Sequence, residues 1–126
     1  MKSLSISIFV IIFLISTWIF AYAFISQSTV EFNSLLNDMD KNISSENWSS
    51  TQSIYSLIDS KWTDKQRFLL LVLDHEEIEK VNLSLKKLEK YIYIKDKSMT
   101  IGEAATLKFL LNHIKEKESL TFKNIF

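Results

Sequence analysis

The side chains with the widest chemical reach here are the two histidines and the acids beside the first of them. Asp74-His75-Glu76-Glu77-Ile78-Glu79 invites comparison with the HExxH zinc-protease motif. That motif places a second imidazole four residues on, so that both rings meet one ion from one helical face. Position 79 is Glu, and the protease reading fails. A weaker arrangement would gather Asp74, His75 and Glu79 with His113 around a metal, as facing helices of a bundle do. The competing reading is local: acids at the start of one helix and a histidine at a junction complement helix dipoles. The local reading is favoured, so no metal and no cofactor is expected.

Nucleophilic catalysis has less to work with. There is no Cys, no GxSxG and only two His to act as base. The reading is therefore not an enzyme. Lys80, Lys86, Lys87, Lys90, Lys95 and Lys97 form the densest basic region and could touch anionic headgroups or wall polymers. Glu79, Glu89 and Asp96 are interleaved with them, as on a solvated face. Fifteen basic residues balance fifteen acidic ones, so there is no electrostatic case for nucleic acid. Sequons at Asn42, Asn47 and Asn82 matter only in a eukaryotic secretory pathway.

Whatever these residues do, the elements that hold them are helical. A chain with no Pro and one Gly has few means of making tight hairpins, which argues against a many-stranded β fold. Absence of Cys removes disulfides, thiolate metal sites and a lipoprotein anchor. With 126 residues, one small domain beside one membrane segment is the expected organisation.

Residues 4–25 carry no charge. As a helix they are about 33 Å long, enough to cross a hydrocarbon core of about 30 Å. Leu4, Ile8, Ile12, Trp18, Tyr22 and Ile25 belong to this anchor, with Trp18 and Tyr22 toward its far end, where interfacial aromatics are enriched. A signal peptide is the alternative, with Lys2 as its basic end and Ala21-Tyr22-Ala23 as its cleavage site. The apolar run is longer than a signal-peptide core, and Phe32, Leu36, Met39 and Ile43 continue it as one helical stripe. An uncleaved anchor, one helix over about 4–43, is preferred. Lys2 before the span and Glu31, Asp38 and Asp40 after it leave the N-terminus cytoplasmic and the rest outside.

Ser44-Ser45-Glu46-Asn47 reads as a break that starts the next helix. Trp48, Tyr55, Ile58, Trp62, Leu69 and Val72 share one phase, with Thr51 and Lys65 as polar slots, and predict a single helix over 47–73. A second helix capped by Thr63 or Asp64 is the alternative. Residues 68–73 are apolar all round and are expected to be the most buried part. Ile78, Val81, Leu85, Leu88 and Ile92 mark a third helix, which takes in the strand-like Tyr91-Ile92-Tyr93-Ile94. Residues 95–98 form a turn. A last helix over 100–117 buries Ala104, Leu107, Leu111 and Ile114, and the small Ala104 and Ala105 allow a close neighbour. The apolar tail, with Leu120, Phe122, Ile125 and Phe126, is expected to pack back on the bundle. No internal repeat is found; a spacing of 34 would pair Trp48 with Asn82.

Glu46-Asn47-Trp48, Trp62, Asp74-His75-Glu76-Glu77-Ile78, the Leu85/Leu88 pair, His113 and Asn124-Ile125 together carry a resemblance. They are similar to a family of small membrane-anchored proteins from Gram-positive spore-forming bacteria, known only as a domain of unknown function. The likeness covers nearly the whole chain; Gly102 departs from it, where a stronger helix former is expected. It implies a single-pass protein with an all-helical exported domain, and brings no activity.

The expected fold is all-α: an N-terminal transmembrane helix continuing into a small antiparallel bundle of three to four helices. Residues 1–26 would be the anchor and 27–126 the exported bundle, at the cell membrane. The expected function is a non-enzymatic, membrane-tethered module that contacts lipid and binds an integral membrane or envelope protein, or itself. Phe32, Leu36, Met39, Trp48, Trp62, Leu85 and Leu88 would be its core or partner-facing residues. An exported ligand- or metal-binding sensor using residues 74–79 with His113 is the second reading, and a wall-active enzyme the last.

Overall fold

Before Gly102 the chain contains neither proline nor glycine, so nothing in its first hundred residues forces a helix to stop. In the computed structural model, helix α1 runs from Lys2 to Ser44, about 64 Å at 1.5 Å per residue. The structure describes residues 1–125; its description of side chains omits Thr121, Phe122 and Ile125. The surroundings of α1 change at Ala21. Residues 2–20 are bare apart from the half-buried Ile15 and Trp18. From there on, Ala21, Ile25, Phe32, Leu36, Met39 and Ile43 are buried at helical spacing. One helix is thus a bare apolar rod in its first half and a core stripe in its second.

Three more helices follow: α2 (Trp48–Val72), α3 (His75–Tyr93) and α4 (Lys97–Ile125). Helix α1 packs on α2 and α4, and α3 packs on the same two from the opposite corner. The short connections make each neighbour antiparallel, giving an up-down-up-down four-helix bundle. Among the described residues there is no strand. The core stacks Phe32, Leu36 and Met39 of α1, Ile58 and Trp62 of α2, Leu85 and Leu88 of α3, and Leu107 and Leu111 of α4. Trp48 is half-buried against this core.

The two corners at the end remote from residue 1 use the same device. Glu46 and Lys95 adopt φ of 58° and 56°, the left-handed region that glycine usually fills after a helix. Around them Glu46 N–H donates to Ile43 O and Asn47 N–H to Asn42 O; Lys95 N–H donates to Ile92 O and Asp96 N–H to Tyr91 O. These are paired Schellman bonds, and they satisfy carbonyls that the helix ends would orphan. The next residue then caps the next helix. Asn47 Oδ1 accepts from Ser50 N–H at 3.2 Å, and Asp96 Oδ1 from Met99 N–H at 3.0 Å.

Helix α2 passes through Trp62-Thr63-Asp64 unbroken, as the single-helix reading of residues 47–73 expects, because Thr63 Oγ1 donates to Asp59 O at 2.9 Å instead of capping. Two expectations need correction. Residues 68–73 are not the most buried segment: Leu69 alone is fully covered, while Leu70, Leu71 and Val72 are exposed. The segment ends the helix, and only the faces toward α1 and the core have protein against them. Finally, α4 does not stop near Lys117 but continues to Ile125, with Leu120 exposed on it. The packing expected of the Phe122 and Ile125 side chains and of Phe126 lies outside what the structure describes.

Candidate functional site

The region where α1 leaves the bundle concentrates the unusual chemistry. Phe68 of α2 meets Phe24 edge-on at 4.7 Å between ring centroids and Phe20 at 6.1 Å, distances at which aromatic pairs attract beyond simple burial. On the other side, Val72 and Glu118 share a cleft of about 250 Å³ with Leu14, Thr17, Trp18 and Ala21. Burial pushes the Glu118 carboxyl above its ordinary value, because a charge taken out of water favours its neutral form.

Two turns further into the bundle lies an ionic cluster. Glu31 accepts from Lys61 at 2.5 Å and from Lys65 at 2.9 Å. Those two hydrogen bonds hold its carboxyl below the usual range. Lys65 also donates to Ser28 Oγ at 3.0 Å, and its ammonium lies 5.6 Å and 5.4 Å from the ring centroids of Phe24 and Phe32. Ser28 in turn donates to Phe24 O at 2.7 Å. The half-buried lysine thus meets a carboxylate, a hydroxyl and two ring faces. Asn33 Nδ2 bonds Asn112 Oδ1 at 3.0 Å, tying the same stretch of α1 to α4. The polar slot at Lys65 was visible in the α2 stripe; Glu31 was visible only as the first charge after the apolar span. Nothing in the spacing of Ser28, Phe68 or Glu118 marks them.

The metal candidates are dispersed. Asp74 Oδ2 accepts from Lys117 at 2.7 Å, which lowers the Asp74 carboxyl and raises the Lys117 ammonium. His75 lies 3.5 Å from Glu79 on an exposed turn of α3. His113 stacks on Phe109 at 6.0 Å, one turn away on α4. Among the described residues no three His, Asp or Glu side chains converge as ligands. Glu77 is buried beside Lys117, at 3.7 Å, with its Oε2 unbonded.

Leu4, Ile8 and Ile12 lie on the bare rod, Tyr22 is half-buried beside Trp18 at the junction, and Ile25 is core. Ile25 therefore packs in the bundle, and the change from bare rod to core stripe falls near Ala21. The stripe of Phe32, Leu36, Met39 and Ile43 is covered by α2 and α4 and offers no surface to a partner. Trp62 is buried, with Nε1 donating to Asn82 Oδ1 at 2.7 Å. Nearby, the Tyr55 hydroxyl donates to Leu85 O at 3.1 Å. Lys80 pairs with Glu76 at 3.3 Å on an exposed face.

A sequence profile described as Domain of unknown function (DUF4363) matches residues 19–125. No curated protein and no solved structure matches the chain.

Proposed function

The chain belongs to the DUF4363 family, a domain of unknown function, and for this member we propose a non-enzymatic, membrane-tethered helical module that binds a membrane or envelope protein, or a second copy of itself. One observation carries the reading: the bare apolar rod and the core stripe are a single uninterrupted helix. A soluble protein's core helix would be mostly covered, yet only 11 % of the most apolar 18-residue window of α1 is buried. An exposed apolar helix of that length is stable in lipid, where its backbone bonds are internal. Because no flexible linker follows it, the bundle is held in a fixed orientation to the bilayer.

The charge pattern, with Lys2 before the rod and Glu31, Asp38 and Asp40 after it, supports a cytoplasmic N-terminus with the bundle outside, and on this reading the bundle stands in the envelope of a Gram-positive spore former. Tethering raises the local concentration for partners in the same membrane. The sensor alternative has no comparable support: Asp74 is held by Lys117, His113 stacks on Phe109, and only His75 and Glu79 lie together, exposed on α3.

Photo-crosslinking in intact cells tests the reading, with the probe at exposed positions such as Val30, Leu83 and Phe109. A reproducible adduct with one membrane protein, or a dimer of the chain, is expected. Adducts with lipid alone would count against partner binding, and recovery of the chain from the soluble fraction against tethering.

A further inference from the structure

We propose that the bundle makes a second, shallow contact with the bilayer through the α2–α3 corner, using Leu70, Leu71 and Val72, with Leu120 of α4 one turn beyond the Lys117 that bonds Asp74. The inference rests on the reading of α1 as a membrane span and goes beyond it, since a span alone could leave the bundle standing clear of the surface.

Length excludes such a stalk. The bare part of α1 is about 19 residues, or about 28 Å as a helix, against a hydrocarbon core of about 30 Å. Crossing uses all of it, so the bundle begins at the bilayer surface. Where the corner lies follows from the shared cleft. Val72 and Glu118 sit beside Leu14, Thr17, Trp18 and Ala21, which are the last turns of the span. The corner is therefore level with residues that the crossing places inside or at the edge of the membrane.

Its surface suits that level. Leu71 is 82 % exposed, with Leu70 and Val72 open beside it, and Leu120 on α4 is 61 % exposed. A helix end apolar all round is normally covered by protein or by lipid, and here protein covers only Leu69 fully. The charges nearby are arranged to tolerate an interface. Asp74 is bonded to Lys117, and burial favours the neutral form of Glu118. Arg67 and Lys123 are exposed and have stems long enough to reach headgroups. The exposed Glu76 and Glu79 on the first turns of α3 limit the depth. They keep the contact in the boundary between headgroups and acyl chains, about 5–10 Å deep in known interfacial helices.

The absence of native Cys allows a direct test on the full chain. Leu71→Cys, Phe13→Cys and Tyr93→Cys, each carrying an environment-sensitive fluorophore, are reconstituted in phosphatidylcholine–phosphatidylglycerol vesicles. All three positions are exposed in the protein, and Tyr93 lies at the remote end. The expected result is a shift to shorter wavelength and quenching by spin-labelled lipid at Phe13 and at Leu71, with neither at Tyr93. Quenching at Phe13 with a water-like signal at Leu71 would overturn the second contact and leave the span standing. A water-like signal at Phe13 would overturn the span, and this inference with it. Equal quenching at Tyr93 and Leu71 would also overturn it, because the contact would not be confined to the corner.

Discussion

Glu31 accepts hydrogen bonds from Lys61 and Lys65, so its carboxylate stays charged at pH values where a free glutamate begins to protonate. The folded-state pKa is lowered, so the stability it contributes is complete above the unfolded value of 4.5. That contribution is lost as pH falls below 4.5 and through the folded value. Glu31→Gln should cost about 1 kcal/mol at neutral pH, a figure kept small because the side chain is 37 % exposed. Chemical denaturation at pH 7 and pH 3 checks it: the gap between variant and parent should shrink at the lower pH. Glu118 has the opposite sign. Its folded pKa is raised by burial, so the folded state binds the extra proton and stability falls as pH rises from 4.5 through the folded value. Glu118→Gln should therefore melt at higher temperature than the parent at pH 7, with the difference vanishing near pH 4.5. A lower Tm at pH 7 would mean that the carboxylate is needed in its charged form.

At the scale of elements, the corners and the one glycine are where local preference and structure disagree. Lys95 holds a left-handed backbone, which costs an L-residue roughly 1–2 kcal/mol; Lys95→Gly should recover about 1 kcal/mol of that. Gly102 is the reverse case: it lies inside α4, and an added Cβ would meet nothing within 4 Å. Gly102→Ala should stabilise the bundle by about 0.5–1 kcal/mol. Urea midpoints of the two variants test both, and a loss for Gly102→Ala would point to an unseen close neighbour on that face. The helices themselves were legible in the sequence. Ile78, Val81, Leu85, Leu88 and Ile92 step along α3 as their spacing requires, and Phe32 to Ile43 continue the apolar run without a breaker. The ends were less legible. A left-handed Glu46 or Lys95 carries no glycine to announce it, and an apolar end such as 68–73 looks the same whether protein or lipid covers it. The junction network escaped because Lys65 lies 37 residues from Ser28 and 34 from Glu31 and meets them only once α1 and α2 are packed.

For the whole molecule, α1 divides a bare half from a core half within one helix. Residues 2–20 are almost wholly exposed, so deleting residues 1–20 removes little buried surface, while Ala21, Ile25, Phe32, Leu36, Met39 and Ile43 stay to complete the core. The shortened chain should remain helical, leave the membrane fraction and unfold in one cooperative transition. The second half of α1 is different in kind. A chain that begins at Trp48 loses one side of a four-helix bundle, uncovering the faces of α2 and α4 that α1 shields. Burial worth roughly 1.5–3 kcal/mol for each large side chain such as Phe32 or Leu36 is lost with it, in sum comparable with a small domain's whole stability margin of about 5–15 kcal/mol. That chain should show no cooperative melt. Circular dichroism on heating, with sedimentation to separate monomer from aggregate, distinguishes the two deletions. Loss of the cooperative transition on removing residues 1–20 alone would show that the bare rod belongs to the bundle's core. The same measurement bears on processing at Ala21-Tyr22-Ala23: cleavage after Ala23 takes Ala21 alone from the buried stripe, so a released bundle would keep its fold and lose only its place.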